Sequence, residues 1–399
     1  MRKHYKILKI VILMTSVLFL FGCRDDNHFL IEKRDYFALD TVNTVIVEYD
    51  DRVFSKEQVK ADLIEVEDIL LDIEINFSIS QTVLMAMEGI TESTLMKVNN
   101  NSGKKDNEGN KVLTTINDDF IELVKMATIV SIQTNGGFDA TIGPLTTLWN
   151  ISGLSNSCRP GLDYDEEKCV IPTSEEIEQK KALIDYRKLE LDEENHTLYL
   201  TEPKMMLDFG AIAKGFAADK VLEYLIQKNY HLILVNLGGN VYNYGESKKT
   251  EGDVLTHIRN PFPENPYLLD YLLSIYTKNQ TIVTSGISER YIEVEEKIYH
   301  HLLNPLTGYP FDNEIETVTI ICSYQEGFYA SAYADAIATG IYALGLDMGL
   351  KFINNHDNLK AVFITKDKRI YITEGLNYEL GNGFNDDFRL FVGNKEIKK

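Results

Sequence analysis

A single carboxylate interrupts an otherwise small and apolar helical segment, Ala330-Ser-Ala-Tyr-Ala-Asp335-Ala-Ile-Ala-Thr339-Gly340. Burying a carboxylate alone is expensive, so a fold that uses this helix must bring Asp335 a hydrogen-bond or ionic partner. Thr339 stands at i+4, on the same face. Two hard oxygens one turn apart suit Mg²⁺, with water and phosphate completing the shell. A neighbouring backbone or an Arg would satisfy Asp335 as well. The segment alone leaves both readings open.

A chain of 399 residues allows one large domain or two ordinary ones. Hydrophobic residues make up 44%, enough for a substantial core, so a wholly disordered chain is excluded. With 61 acidic and 40 basic residues the formal charge is −21, which argues against a general binder of nucleic acid. Four cysteines are too few for a disulfide scaffold. No heptad run or 20–50-residue repeat is visible, against a coiled coil or solenoid.

The charge is unevenly spread. Arg2, Lys3, Lys6 and Lys9 precede an apolar run from Ile10 to Phe21. A basic head and about a dozen apolar residues read as an export signal, short of the roughly 17–25 that a transmembrane helix needs. The run ends Leu20-Phe21-Gly22-Cys23, which looks like a bacterial lipobox. A cut before Cys23, with a lipid on its sulfur, or an uncleaved anchor would both hold the body outside the cytoplasm. The expected division is a signal over 1–22, a lipid-anchored polar tether over 23–35 and the folded body over 36–395.

Thr41 to Tyr49 alternates apolar and polar residues and predicts a strand. Lys56 to Ile75 has helical apolar spacing, and Asn99 to Gly109 is a polar loop. Asn117 is a good N-cap for a helix that Gly136-Gly137 ends. Ser152 to Pro172 is irregular. Thr173-Ser-Glu-Glu176 is a capping box, and Lys188–Leu191 with Thr197–Thr201 reads as a hairpin. Strand Met205–Phe209, helix Ile212–Lys228 and strand Leu232–Asn236 predict a strand–helix–strand unit. Further strands are expected near Val254–Arg259, Thr281–Thr284, Tyr291–Val294 and Thr317–Cys322. Helix Ala330–Leu344, helix Leu350–Asn355 and a strand pair at Ala361–Thr365 and Ile370–Thr373 follow. No Pro/Gly/Ser-rich linker divides this pattern, so it predicts one α+β domain, with sheets covered by helices and room for two lobes.

Four further segments carry polar groups that chemistry could use. In Leu207-Asp208-Phe-Gly-Ala211-Ile-Ala-Lys214-Gly, a turn opens a helix, whose free N–H groups and Lys214 suit an anion. It matches neither standard phosphate-loop pattern, and taken alone it favours an ordinary turn. Gly137-Phe138-Asp139-Ala-Thr-Ile-Gly-Pro144 ends in a rigid turn. Thr284-Ser285-Gly286 is a flexible step able to approach a ligand. Tyr299-His300-His301-Leu-Leu303-Asn304-Pro305-Leu-Thr-Gly308-Tyr-Pro310 holds adjacent histidines without zinc spacing. In a strand the two would face opposite sides, so at most one serves as a general base. Trp149 reads as core rather than as a stacking platform.

The joint order of these motifs is specific. Phe138-Asp-x-Thr-x-Gly-Pro-Leu is followed by Leu207-Asp-x-Gly-x-Ile-Ala-Lys-Gly and Asn236-Leu-Gly-Gly239-Asn240. Thr284-Ser-Gly, His301-x-x-Asn-Pro-x-Thr-Gly-x-Pro and Ala334-Asp-Ala-x-Ala-Thr339 come next. The series, from about Thr41 to Thr373, resembles the ApbE-type FAD:protein FMN transferases. The lipobox fits, since many members are lipoproteins.

The resemblance implies a T-fold-like single domain that binds FAD with Mg²⁺ and cleaves its pyrophosphate. FMN passes to a Thr or Ser hydroxyl of an acceptor flavoprotein, and AMP is released. Asp335 and Thr339 would be side-chain ligands of Mg²⁺ and Ala211 a carbonyl ligand. Gly137, Phe138, Asp139, Asp208, Lys214, Ser285, Gly286 and Leu303 would contact FAD. His301 would deprotonate the acceptor hydroxyl, with His300 as second choice. The same site used with water as nucleophile would make an FAD pyrophosphatase. A lipoprotein that only binds a flavin or another solute is the non-catalytic alternative.

Departures from the family pattern are local. The usual Asp of His-x-x-Asp-Pro is Asn304, which keeps hydrogen bonding but carries no charge. The N-terminal Met-Gly-Thr stands as Leu39-Asp40-Thr41, and extra residues, Ser80 to Glu92, precede Ser93. Cys158 and Cys169 have no role in the resemblance. Outside the cytoplasm they either pair, closing a short loop, or remain two free thiols. Acceptor sites in the family's partners begin Asp-Gly, a dipeptide absent here, so the acceptor should be another exported or membrane protein.

Overall fold

Alternating residues lay down one large sheet. Its strands are β1 (Phe29–Ala38), β2 (Thr41–Asp50), β3 (Leu232–Leu237), β4 (Asn240–Gly245), β5 (Gln280–Gly286), β6 (Ile315–Ser323), β7 (Leu359–Thr365), β8 (Arg369–Ile372), β9 (Arg389–Val392) and β10 (Lys395–Ile397). They lie side by side in that order. Every neighbouring pair is antiparallel except β8 and β9, whose connection crosses over through another sheet. The computed structural model describes residues 28–79, 84, 90–159, 165–249, 253–263, 270–393 and 395–397. The expected export signal and Cys23 lie outside them.

β1 corrects the expected tether. Its ten residues pair with β2 from Phe29↔Asp50 to Ala38↔Thr41, so residues 29–35 belong to the sheet. Leu39 and Asp40, both with positive φ, close a two-residue hairpin turn. The charges Glu32, Lys33, Arg34 and Asp35 that suggest a tether instead decorate an edge strand, where charge blocks unwanted pairing.

The middle of the sheet is buried on both faces. On one, Val283, Val318, Ile320, Ala361 and Phe363 join the main core. There the sheet meets helices α1 (Lys56–Phe77), α2 (Asp118–Gln133), α3 (Ala213–Ile226) and α4 (Ala330–Asn354). On the other face Ile282, Ile321, Val362 and Ile364 pack with Leu273 and Ile275 from a small sheet of strands 254–259, 271–277 and 377–380. The expected Asn117 cap holds, its Oδ1 accepting from the Phe120 N–H at 3.0 Å. α4 breaks at Gly345 (φ 71°), matching the two expected helical segments.

The expected strand at Met205–Phe209 is absent, so no strand–helix–strand unit forms. Only Met206 bridges, in parallel, to Ile142. The Asn99 side chain satisfies the peptide instead: its Oδ1 accepts from Leu207 N–H at 2.7 Å and its Nδ2 donates to the Leu207 carbonyl at 2.9 Å. Asn99 itself ends a short helix, Thr94–Asn100, rather than opening a loop. The 189–192/197–200 hairpin and the Thr173 capping box form as predicted. Cys158 and Cys169 are bonded. With Leu145, Trp149, Ile151, Ile177, Ile292 and Leu303 they make a separate small core. The whole is α+β, with helices on one face of the main sheet.

Candidate active site

The crossing of α3 and α4 fixes the first side of the site. A Cβ on Gly215 would lie 2.2 Å from the Ser331 carbonyl oxygen, so only glycine lets the helices approach this closely. Each helix then caps the other. Asp335 of α4 accepts from the Gly215 N–H at 3.0 Å, in the first turn of α3. Asp219 of α3 accepts from Ser331 and Ala332 N–H at 3.0 and 2.7 Å, in the first turn of α4. Neither helix has a side-chain cap at its own N-cap position. Carboxylates at helix starts meet unpaired N–H groups and the positive dipole end. Both readings of Asp335 therefore have substance: backbone holds one oxygen, and the residue still lines a cleft with Thr339. Burial pushes the Asp219 carboxyl well above the usual carboxylate range.

That cleft encloses about 530 Å³. The turn before α3 supplies Asp208, Gly210 and Ala211, and the first turn of α3 supplies Lys214. Asp208 is held by Thr146 Oγ1, donating at 2.6 Å, and by the Gly210 N–H at 2.8 Å. Gly137, Phe138 and Asp139 line another part, pressed against α4: a Cβ on Gly137 would lie 2.3 Å from that of Ala343. The Asp139 carboxylate accepts from Thr141 N–H and hydroxyl, at 2.8 and 2.7 Å, and from Tyr186 N–H at 3.0 Å. It therefore pins the turn, and burial pushes its carboxyl up. β5 contributes Thr284 and Ser285. Gly286 is not in the wall; a Cβ there would sit 2.9 Å from Thr317 Cγ2, so its place is in sheet packing. Leu39, Asp40 and Thr41 are likewise outside the wall, in the hairpin turn beside Gly238. Residues 80–83 and 85–89, where a lid could differ, fall outside the described residues.

The strand alternation separates the two histidines. His300 closes the 291–294/297–300 hairpin and turns into the protein, 2.8 Å from the Phe311 carbonyl through Nε2. His301 faces the cleft beside Leu302 and Leu303. Its Nδ1 lies 3.0 Å from the Arg290 carbonyl. A carbonyl only accepts, so Nδ1 carries the proton and Nε2 keeps its lone pair. Burial pushes the pKa of both rings down to about 4, so His301 is neutral near pH 7. Asn304 Oδ1 accepts from the Leu306 N–H at 2.9 Å, holding a turn for which a neutral amide suffices.

Sequence reasoning missed Glu289 and Arg290, which follow Thr284-Ser-Gly and line the cleft. Crowding by protein pushes the Glu289 carboxyl up, against the opposing charges of Lys214 and Arg290. Two adjacent opposite charges three and four residues after the strand that carries Thr284 and Ser285 were the available signal. Trp149 is core, as expected, and its indole Nε1 donates to the Gly308 carbonyl at 2.8 Å, but it also forms part of the wall. The wall carries the carboxylates Asp139, Asp208, Glu289 and Asp335 against the cations Lys214 and Arg290. Among the described residues no three His, Cys, Asp or Glu side chains converge as a metal cage. A cation here would rest on a mixed oxygen set such as Asp335, Thr339 and the Ala211 carbonyl, the hard-donor chemistry of Mg²⁺ rather than of a zinc site.

The sequence profile of the ApbE family matches residues 54–363. An FAD:protein FMN transferase of Klebsiella pneumoniae (strain 342) is 32% identical over 282 residues, covering 71% of this chain and 78% of the relative. One of Treponema pallidum (strain Nichols) is 29% identical over 268 residues, covering 64% and 67%. In fold, the flavin transferase ApbE from Vibrio cholerae aligns with a TM-score of 0.65 at 20% identity, covering 89% of this chain and 98% of that one. The ApbE protein from Thermotoga maritima aligns at 0.66 and 23%, covering 88% and 97%. The chain described here belongs to the ApbE family.

Proposed function

We propose that this chain is an FAD:protein FMN transferase, held outside the cytoplasm by a lipid on Cys23. It joins FMN to a Thr or Ser hydroxyl of an exported or membrane protein. In that reaction the acceptor oxygen bonds to the phosphorus on the FMN side of FAD, the pyrophosphate P–O bond breaks, and AMP leaves. The observation that carries this reading is the bare Nε2 of His301, set in one cleft with Lys214, Arg290 and the Asp335/Thr339 pair.

Nε2 takes the acceptor proton as the new bond forms. The Nδ1–H bond to the Arg290 carbonyl keeps the ring in the tautomer this requires. Lys214 and Arg290 attract the phosphates, and Phe138 and Leu303 provide apolar wall. Asp335, Thr339 and the Ala211 carbonyl would hold Mg²⁺, which supplies charge neutralisation for a pyrophosphate entering an acid-rich cleft. The chain's own cations are outnumbered there by carboxylates, which is why the reading includes a metal.

The test is incubation with FAD, Mg²⁺ and a purified exported domain bearing an Asp-Gly-initiated Thr site. A fluorescent protein band on a denaturing gel is the expected result. Free FMN with no labelled band would mean hydrolysis, and intact FAD would mean binding alone.

A further inference from the structure

Transfer to a protein needs more than a cleft for FAD, because the acceptor backbone must rest on the enzyme while one hydroxyl reaches His301. The loop that follows His301 has the features of that rest. Pro305 lines the cleft, and next to it Leu306 is 60% exposed, high for a leucine with a fixed backbone. The loop is tightly tied. Asn304 N–H donates to the Tyr309 carbonyl and Gly308 N–H to the Asn304 carbonyl, both at 2.8 Å. Asn304 Oδ1 accepts from Leu306 N–H, and Trp149 Nε1 donates to the Gly308 carbonyl. Gly308 has φ +81°, and a Cβ there would meet Ile177 Cγ2 at 2.5 Å. A leucine displayed on a loop this fixed loses little freedom on binding, which favours its use as an anchor.

The surroundings extend the apolar patch. Leu306 Cδ2 would lie 3.7 Å from a Cβ on Gly136, so this glycine leaves its flank uncovered. Tyr309, on the same loop, is also exposed and its Oη lies 3.2 Å from Ser174 Oγ.

We infer that Leu306 is the docking point for the acceptor protein, taking an apolar side chain at the edge of the cleft that Pro305 lines. This rests on the transfer reading above. The occupant is the acceptor because Leu306 is joined directly to Pro305, which lines the same cleft as the proposed base His301.

Leu306→Asp and Leu306→Ala test it, with Val53→Asp as control. Val53 is another exposed apolar residue, beyond the end of β2 remote from the hairpin turn. Steady-state transfer is measured on one purified exported domain with an Asp-Gly-initiated Thr site, and FAD hydrolysis is measured without acceptor. Leu306→Asp is expected to raise the acceptor KM about tenfold or more, Leu306→Ala less, with the FAD KM and hydrolysis unchanged. Val53→Asp is expected to behave as wild type. An unchanged acceptor KM in Leu306→Asp overturns the docking point while leaving the transfer reading intact. Equal losses of transfer and hydrolysis overturn it too, as does light scattering that finds a wild-type dimer broken by the substitution. A wild type that hydrolyses FAD but labels no acceptor overturns both readings.

Discussion

The two sides of the cleft are built from different material. The α3–α4 side belongs to the main core, with Phe216, Ala217, Ala218, Ala334 and Ile337 buried around a glycine crossing. Its carboxylates, Asp219 and Asp335, are tied to backbone N–H groups of the opposite helix. The other side, from Leu145 to Leu303, has a small core of its own and a covalent staple. Cys158 also links to the histidine hairpin, since its carbonyl accepts from Glu293 N–H at 2.8 Å. A wall that must fix charges uses core packing and helix ends, where desolvated groups find N–H partners. A wall with too little core to hold itself uses a cross-link. The proposed base stands at the end of the hairpin tied to the stapled side, and the proposed metal set stands on the packed side.

The largest effect should come from His301. Replacing it with Ala removes the proton acceptor and leaves both walls standing, so transfer should fall about 10²–10⁴-fold while FAD still binds. Parallel measurement of labelled acceptor and of FAD affinity checks this. Full transfer in the variant would end the assignment of Nε2 as base.

Breaking the packed side should cost stability and activity together. In Gly215→Ala the new methyl meets the Ser331 carbonyl and Ala332 Cα, both backbone, so the helices must separate. That crowding and the weakened Asp335 contact should destabilise the fold by about 3 kcal/mol. Urea unfolding gives the number, and activity titrated with Mg²⁺ should shift to higher metal concentration. An unchanged unfolding midpoint would mean the crossing is looser than its geometry implies.

The stapled side should respond less and more locally. Closing an 11-residue separation stabilises by about 2–3 kcal/mol through the unfolded chain. Cys158→Ser with Cys169→Ser should therefore lower the unfolding midpoint while leaving the Mg²⁺ response unaltered, because the metal set is on the other wall. A changed Mg²⁺ response would show that the two sides are coupled.

This division was only partly legible in the sequence. Period-two strands, helix caps and the capping box are set by near neighbours in the chain, so they could be read directly. Asp208, Lys214, His301, Asp335 and Thr339 could be gathered from the motif order. The mutual capping of Asp219 and Asp335 could not be read, since it depends on residues 112 to 120 apart in the chain. The missing strand at Met205–Phe209 has a similar cause: an Asn 108 residues away satisfies the peptide that a ladder would otherwise pair. β1 was hidden by charge on an edge strand. Asp139 lines the cleft, but its carboxylate serves Thr141 and Tyr186 rather than standing free.

The histidine pair separates the two sides once more, through pH. His300 is buried, and burial pushes its pKa from 6.5 to about 4. A depressed histidine pKa means the unfolded chain binds the proton more readily, so the stability it contributes is present above pH 6.5 and lost as pH falls towards 4. Between pH 7 and 5 that linkage should remove roughly 2 kcal/mol. In His300→Phe the same pH step should cost correspondingly less, whatever the substitution does to stability at pH 7. Urea midpoints of wild type and variant at pH 7 and 5 measure the difference. A variant as acid-sensitive as wild type would move the linkage to His301, whose pKa burial pushes down in the same way; carboxylates with raised pKa values, Asp139 and Asp219 among them, work in the opposite sense. Protonating them in the fold favours it as pH falls, so they cannot stand in for the histidine.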